Sequence, residues 1–290
     1  MSLYSALALP FVEYGFMRRA LLASISLGLG AGPVGVILML RRMSLVGDAM
    51  SHAVLPGAAI GFLVSGGLSL FAMGVGGVIA GLSVALLSGM VSRGTPLKED
   101  ASFATFYLAS LALGVLIVSL RGSNIDLLHV LFGTILSIDH QAIFMVGGIT
   151  SFTLIALALI YRPLVAECFD PSFLRSVRGR GALYHLLFLF LLVINLVAGF
   201  QTLGTLMSVG MMMLPAAVAQ LWGRTLLGMA VIAACVAAFS GFVGLLISYH
   251  LELASGPTII LVATALYLLS LLAAPSGVLL RRFKRPHLAG

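Results

Sequence analysis

The chain is a succession of apolar runs, each long enough to cross a lipid hydrocarbon layer and most separated from the next by only a short interruption. A helix needs about 20 apolar residues for that crossing. Such segments fall at residues 20–40, 48–66, 68–92, 101–120, 141–161, 183–200, 203–221, 225–248 and 258–280. Inside lipid every backbone polar group must be paired within the chain, which runs of this length achieve as helices. The pattern predicts an all-α, polytopic transmembrane helical bundle of about nine spans, a single domain over residues 1–290. Composition agrees. With 61% hydrophobic and 9% charged residues, too little polar surface is left to cover a water-soluble core, for which about a quarter of the residues would be charged.

The net charge of +7 does not point to nucleic acid, because the basic residues form short clusters between apolar runs: Arg41 and Arg42; Arg175, Arg178 and Arg180; Arg281, Arg282, Lys284 and Arg285. Such clusters orient helices in a membrane. Placing the last cluster in the cytoplasm puts residues 162–182, Arg93 with Lys98, and the Arg41–Arg42 pair on the same side. Asp126, His129, Asp139, His140 and His250 then lie outside, in connections read as solvated. Arg18 and Arg19 fall on the outer side against the rule, which points to a short interfacial N-terminal helix or to a miscounted span. The stretch 2–17, with Pro10 and Glu13, does not read as a cleavable signal. Cys168 and Cys235 belong to no metal-ligand spacing. Closely spaced glycines (Gly28, Gly30, Gly32; Gly74, Gly77, Gly81) predict close helix–helix approach.

The segment richest in chemistry is residues 41–57. Asp48 and His52 stand four apart, hence on one face of a helix about a turn from each other. A carboxylate and an imidazole suit zinc, manganese or iron, whereas calcium and magnesium prefer oxygen alone. Three readings stand side by side: a shared cation on a transport path, a mutual hydrogen bond tying helices together, or an interfacial pair beside Arg41 and Arg42 that meets no ligand. Pro56 and Gly57, a turn later, loosen the helix and free carbonyls near the pair. Weaker metal candidates are His250 and Glu252, which meet only on an irregular turn, and the run Met207, Met211, Met212 and Met213, more naturally core packing. Lys98, Glu99 and Asp100 read as a helix start, with the acids at the favourable end.

The inner stretch 167–181 reads as a short amphipathic helix capped by Asp170, with Pro171 in its first turn, and Phe173, Leu174 and Val177 along one side. That apolar side wants either a protein partner or the lipid headgroups. No GxxxxGK[ST] phosphate loop is present, so energy for any active transport comes from another chain.

Together these residues resemble the metal-specific ABC importer permeases of zinc and manganese uptake. The resemblance rests on R-R-M-S-L-V-G-D-A-M-S-H-A-V-L-P-G at 41–57, L-K-E-D-A at 97–101, D-L-L-H-V-L-F-G-T-I-L at 126–136, F-D-P-S-F at 169–173 and M-M-M-L-P-A-A-V-A at 211–219. It implies a type II ABC importer permease in the bacterial inner membrane, not itself an enzyme and binding no cofactor. The implied partners are a second permease copy, an external metal-binding protein, and a cytoplasmic ATPase pair that hydrolyses ATP and docks near Asp170, Pro171, Phe173, Leu174, Arg175 and Val177. Asp48 and His52 would then be the metal site on the path, with Zn2+ the expected cargo and Mn2+ or iron next. The sequence departs from the family at residues 177–181, which are more basic than the usual ending. Rival readings are a permease for a metal chelate such as a siderophore or cobalamin, and an intramembrane zinc protease, whose H-E-x-x-H motif is absent.

Overall fold

A computed structural model describes residues 9–66, 69–97, 99–120, 138–169, 181–275 and 277. Among them there are helices and no strand. In chain order the helices are α1 (Leu9–Glu13), α2 (Gly15–Leu40), α3 (Ser44–Ala53), α4 (Leu55–Ser65), α5 (Leu70–Gly94) and α6 (Glu99–Leu120). They continue with α7 (His140–Phe169), α8 (Gly181–Leu203), α9 (Thr205–Trp222), α10 (Leu226–Leu251) and α11 (Ser255–Ala273). Counting α3 and α4 as one broken helix over 44–65, nine of the described helical segments are long and apolar enough to cross a membrane. Helices α2 and α8 form the centre, 67% and 72% buried over their most apolar windows, whereas α5, α6 and α7 are 22% or less buried. Their outer faces carry bare hydrophobic side chains, Phe71 at 81% exposure and Phe144 at 79% among them, which is what a lipid-facing surface requires.

Helix α2 packs against α7, α8, α9 and α10, while α3, α4, α5 and α6 gather on the far side of α8. Small residues set these crossings. A methyl group at Gly35 would overlap the Met212 carbonyl, and one at Gly57 the Gly76 carbonyl, so α2 meets α9 and α4 meets α5 backbone to backbone. In the middle, Asn195 donates to Thr153 Oγ1 (2.7 Å) and Thr150 Oγ1 to the Ser26 carbonyl (2.8 Å), polar ties that lipid cannot compete for.

Several expected boundaries move. Arg18 and Arg19 lie in the first turns of α2 behind the short helix α1, and Arg19 Nε donates to the Ile138 carbonyl at 2.8 Å. The short N-terminal helix is thus the correct reading, and the basic residue there is held by the connection before α7. The second span begins at Ser44, ahead of Asp48. Helix α7 runs on through Arg162 and Pro163 to Phe169, so residues 162–169, expected as loop, are helix; the missing N–H of one proline is tolerated where neighbouring helices re-satisfy the backbone. The last span stops at Ala273 instead of 280, because Ala274, preceding Pro275, is extended (φ −69°, ψ 155°), the conformation proline imposes on its neighbour. The expected docking stretch with Asp170, Pro171, Phe173, Leu174, Arg175 and Val177 lies outside the described residues, as do Asp126, His129 and the C-terminal basic cluster.

Candidate functional site

The turn between α2 and α3 determines where the chemistry sits. Arg42 adopts φ 58°, with its N–H bonded to the Met39 carbonyl and that of Met43 to the Leu38 carbonyl, both at 3.0 Å. This is a Schellman closure of α2 with arginine where glycine is usual. It turns the chain back into the bundle, so that α3 climbs from the same end and carries Asp48 roughly 6 Å and His52 roughly 12 Å along its axis.

Asp48 Oδ1 and His52 Nε2 are 4.0 Å apart, with the carboxylate 64% and the imidazole 30% exposed. That distance is beyond a hydrogen bond, so the mutual hydrogen bond among the expected readings is not formed here. Two metal–ligand bonds of about 2.1 Å each span at most about 4.2 Å, so one ion reaches both groups. The rest of the imidazole faces inward: its Nδ1 is buried without a hydrogen-bond partner, and its ring stacks on Tyr107 of α6, centroids 6.2 Å apart. With the proton on Nδ1, Nε2 presents its lone pair toward Asp48.

Just beyond His52 the helix breaks at Val54. Pro56 has no N–H to offer the His52 carbonyl, although Val54 still donates to Met50 (3.2 Å) and Ala58 to Val54 (3.1 Å). The loosening expected from Pro56 and Gly57 is therefore slight: the His52 carbonyl still accepts a backbone N–H at the C-cap of α3. Ser110 Oγ of α6 donates to the adjacent Ala53 carbonyl at 3.1 Å.

Asp48 opens onto a cavity of about 140 Å³ walled by α3 and α6, with Asp100 and Tyr107 as its other polar residues and Val46 and Phe103 among the apolar ones. Asp100, expected only as a helix-start acid, thus shares a space with the candidate ligand. A signal was available: acids at the start of a helix whose continuation is apolar must face water or a cavity.

The other candidates separate. His250 and Glu252 are exposed at the opposite end of the bundle, where Tyr249 meets Tyr14 at 5.6 Å. Glu252 takes φ 54° and closes α10, with Leu253 N–H on the Ser248 carbonyl (3.1 Å), the irregular turn the spacing demanded. Asp139 caps α7, accepting the Ala142 N–H at 2.8 Å. Met207, Met211 and Met212 are at most 1% exposed, packed into the core, and Met213 lies against Gly47. Among the described residues no three His, Cys, Asp or Glu side chains converge on one point.

Sequence reasoning missed a buried charge cluster at the α3 end of the bundle. Arg41 Nη2 and Glu167 Oε2 form an ion pair at 2.9 Å, lying off hydrogen-bond geometry, with side chains 7% and 12% exposed. Arg41 Nη1 donates to His185 Nδ1 at 3.0 Å, and the guanidinium lies 4.7 Å over the Phe188 ring. Glu167 itself was the clue: a carboxylate in the last turn of a long helix opposes the helix dipole and calls for a cation.

Nine described helical segments of membrane-crossing length, with apolar outer faces, define a multi-pass membrane protein. The chain belongs to the ABC 3 transport family, whose sequence profile matches residues 13–274, and it is a metal-type ABC importer permease, a transport subunit and not an enzyme. It is 35% identical over 263 residues to the manganese import system permease protein ScaB of Streptococcus parasanguinis, covering 91% of this chain and 92% of that one. It is 37% identical over 275 residues to the manganese transport system membrane protein MntC of Halalkalibacterium halodurans, covering 94% and 92%. Among solved structures, a chain of PsaBC from Streptococcus pneumoniae in complex with Fab superposes with a TM-score of 0.84 at 31% identity, over 94% of this chain and 97% of that one.

Proposed function

We propose that this chain is the permease subunit of an importer that carries Mn2+ inward across the bacterial inner membrane, with ATP hydrolysed by a partner. The observation that carries the reading is the Asp48–His52 pair: one helical turn, 4.0 Å, with Asp48 lining a cavity. A carboxylate and an imidazole accept manganese, iron or zinc, so ligand chemistry alone leaves the zinc expectation standing; the names of the relatives favour manganese.

In this reading two permease copies form the core, an external binding protein delivers the ion, and a cytoplasmic ATPase pair docks on residues 170–180. ATP binding and hydrolysis rock the helices, and the pair meets each side of the membrane in turn. No covalent step occurs in this chain. The ion passes from the delivering protein to Asp48 and His52, whose two ligands leave the remaining coordination positions to water and so hold it loosely enough to release.

The test is Asp48→Ala in the assembled complex reconstituted into vesicles. The variant is expected to insert and assemble normally yet accumulate no Mn2+; wild-type accumulation would remove Asp48 from the path. Excess Zn2+ in the wild-type assay decides the cargo: undiminished Mn2+ uptake supports manganese, and its replacement by zinc uptake restores the zinc reading.

A further inference from the structure

Three helix ends meet at Arg41. It caps α2 and lies three residues before α3; Glu167 is in the last turn of α7, and His185 and Phe188 are in the first turns of α8. Glu167 and His185 also flank the stretch 170–180, three residues before it and five after. The guanidinium is engaged on two edges and one face: Nη2 with Glu167 at 2.9 Å, Nη1 with His185 at 3.0 Å, and the plane over Phe188 at 4.7 Å. His185 Nδ1 accepts, because arginine has no acceptor to offer, and the same nitrogen is 3.9 Å from Glu167 Oε1. The three side chains are 14% exposed or less.

We propose that the Arg41–Glu167–His185 cluster is the joint that transmits displacement of the α7 and α8 ends to α3, and so to Asp48 and His52; all three are positioning residues for transport, and none touches the ion. This rests on the reading that residues 170–180 receive the ATPase.

The argument is one of placement and stiffness. A buried ion pair is a poor way to gain stability, since well-packed apolar groups of similar volume do as well or better, and its best-attested use is to fix one geometry. Arginine is suited to that use because its planar fork stays charged and engages several partners at once, here Glu167 by ion pairing, His185 by a hydrogen bond and Phe188 by its face. Here the fork joins the two elements on either side of the expected docking stretch to the corner from which α3 springs. Asp48 follows Arg41 by seven residues, through the Schellman turn and one turn of helix, with no flexible linker between. A shift of the α7 and α8 ends therefore moves the start of α3 with it.

The test uses the complete complex, with ATPase and binding protein, in vesicles, reading Mn2+ ions accumulated per ATP hydrolysed. Glu167→Gln keeps the shape and removes the charge; the double variant Arg41→Met, Glu167→Leu removes both charges without leaving one unpaired. In each, the ratio is expected to fall on the order of tenfold, inside the roughly 5- to 150-fold range of coupling between sites, while ATP hydrolysis persists and the half-saturating Mn2+ concentration stays put. An unchanged ratio in either assembled variant overturns the proposal. So does failure of both variants to assemble, which makes the cluster a folding element only. Two companions keep the underlying readings separate: Phe173→Ala reports through ATPase co-purification whether 170–180 is the docking stretch, and Asp48→Ala reports whether the pair lies on the path. If zinc proves to be the cargo, the same ratio is read with Zn2+.

Discussion

His52 Nε2 stands 4.0 Å from Asp48 Oδ1 across one turn of α3, too far for the two to satisfy each other and near enough for one ion to satisfy both. The imidazole is held from behind by Tyr107, whereas the carboxylate is mostly exposed. A modest rotation of Asp48 therefore sets the ligand separation, and the histidine is the more buried half of the pair.

If both groups bind one ion, their losses do not add. Asp48→Asn and His52→Gln are each expected to lower Mn2+ uptake by at least about tenfold, and the double variant to be no worse than the more harmful single, as residues acting as a unit behave. Initial uptake rates from the four proteins decide it. Multiplying losses would mean that the two side chains act at separate points on the path.

Asp100 shares the cavity with Asp48 but comes from α6, so its field reaches an ion there without its being a ligand. Asp100→Asn is expected to raise the half-saturating Mn2+ concentration about fivefold, roughly 1 kcal/mol, with ATP hydrolysis unaltered. An uptake curve that superposes on wild type would show that this carboxylate faces bulk solvent.

What the sequence made legible follows from range. Span number depends on run length, and the Asp48–His52 face depends on a local period of 3.6, so both can be read from neighbours in the chain. Arg41 and His185 are 144 residues apart in sequence, and no local pattern pairs them; Arg41 reads as an orienting surface charge until α7 and α8 are seen to close over it. Span ends fell between these cases. Pro275 was a usable stop signal that hydropathy overran, while Pro163 was the same residue type inside a helix that continues, because its neighbour Leu164 is buried at 1% exposure and packing outweighs the lost hydrogen bond. The methionine run reads as core from methionine's habit of filling gaps between helices, and Met207, Met211 and Met212 are buried.

The glycine contacts predict a sharp difference between positions. A methyl group at Gly57 would overlap the Gly76 carbonyl, whereas one at Gly148 meets nothing within 4 Å. Gly57→Ala forces α4 and α5 apart and is expected to destabilise the protein by about 1–3 kcal/mol, the usual range for overpacking; Gly148→Ala is expected to be neutral. Thermal unfolding of the two variants in the same detergent checks this. Equal midpoints would mean that the α4–α5 crossing yields without cost.

Arg42 offers the opposite prediction, a substitution that stabilises. Its φ of 58° costs a residue bearing a Cβ about 1 kcal/mol or more, and glycine adopts that conformation without the clash. Its side chain is exposed, unlike that of its neighbour Arg41, so Arg42→Gly removes strain while the Met39 and Leu38 carbonyls keep their N–H partners. The variant is expected to gain up to about 1 kcal/mol, since part of the relief returns as glycine's greater freedom in the unfolded chain, and Arg42→Val, branched at Cβ, is expected to lose stability. Uptake by Arg42→Gly should equal wild type, because the turn that aims Arg41 into the bundle and launches α3 is retained. A lower unfolding midpoint for the glycine variant would mean that the Arg42 charge holds this corner more firmly than its backbone strain loosens it.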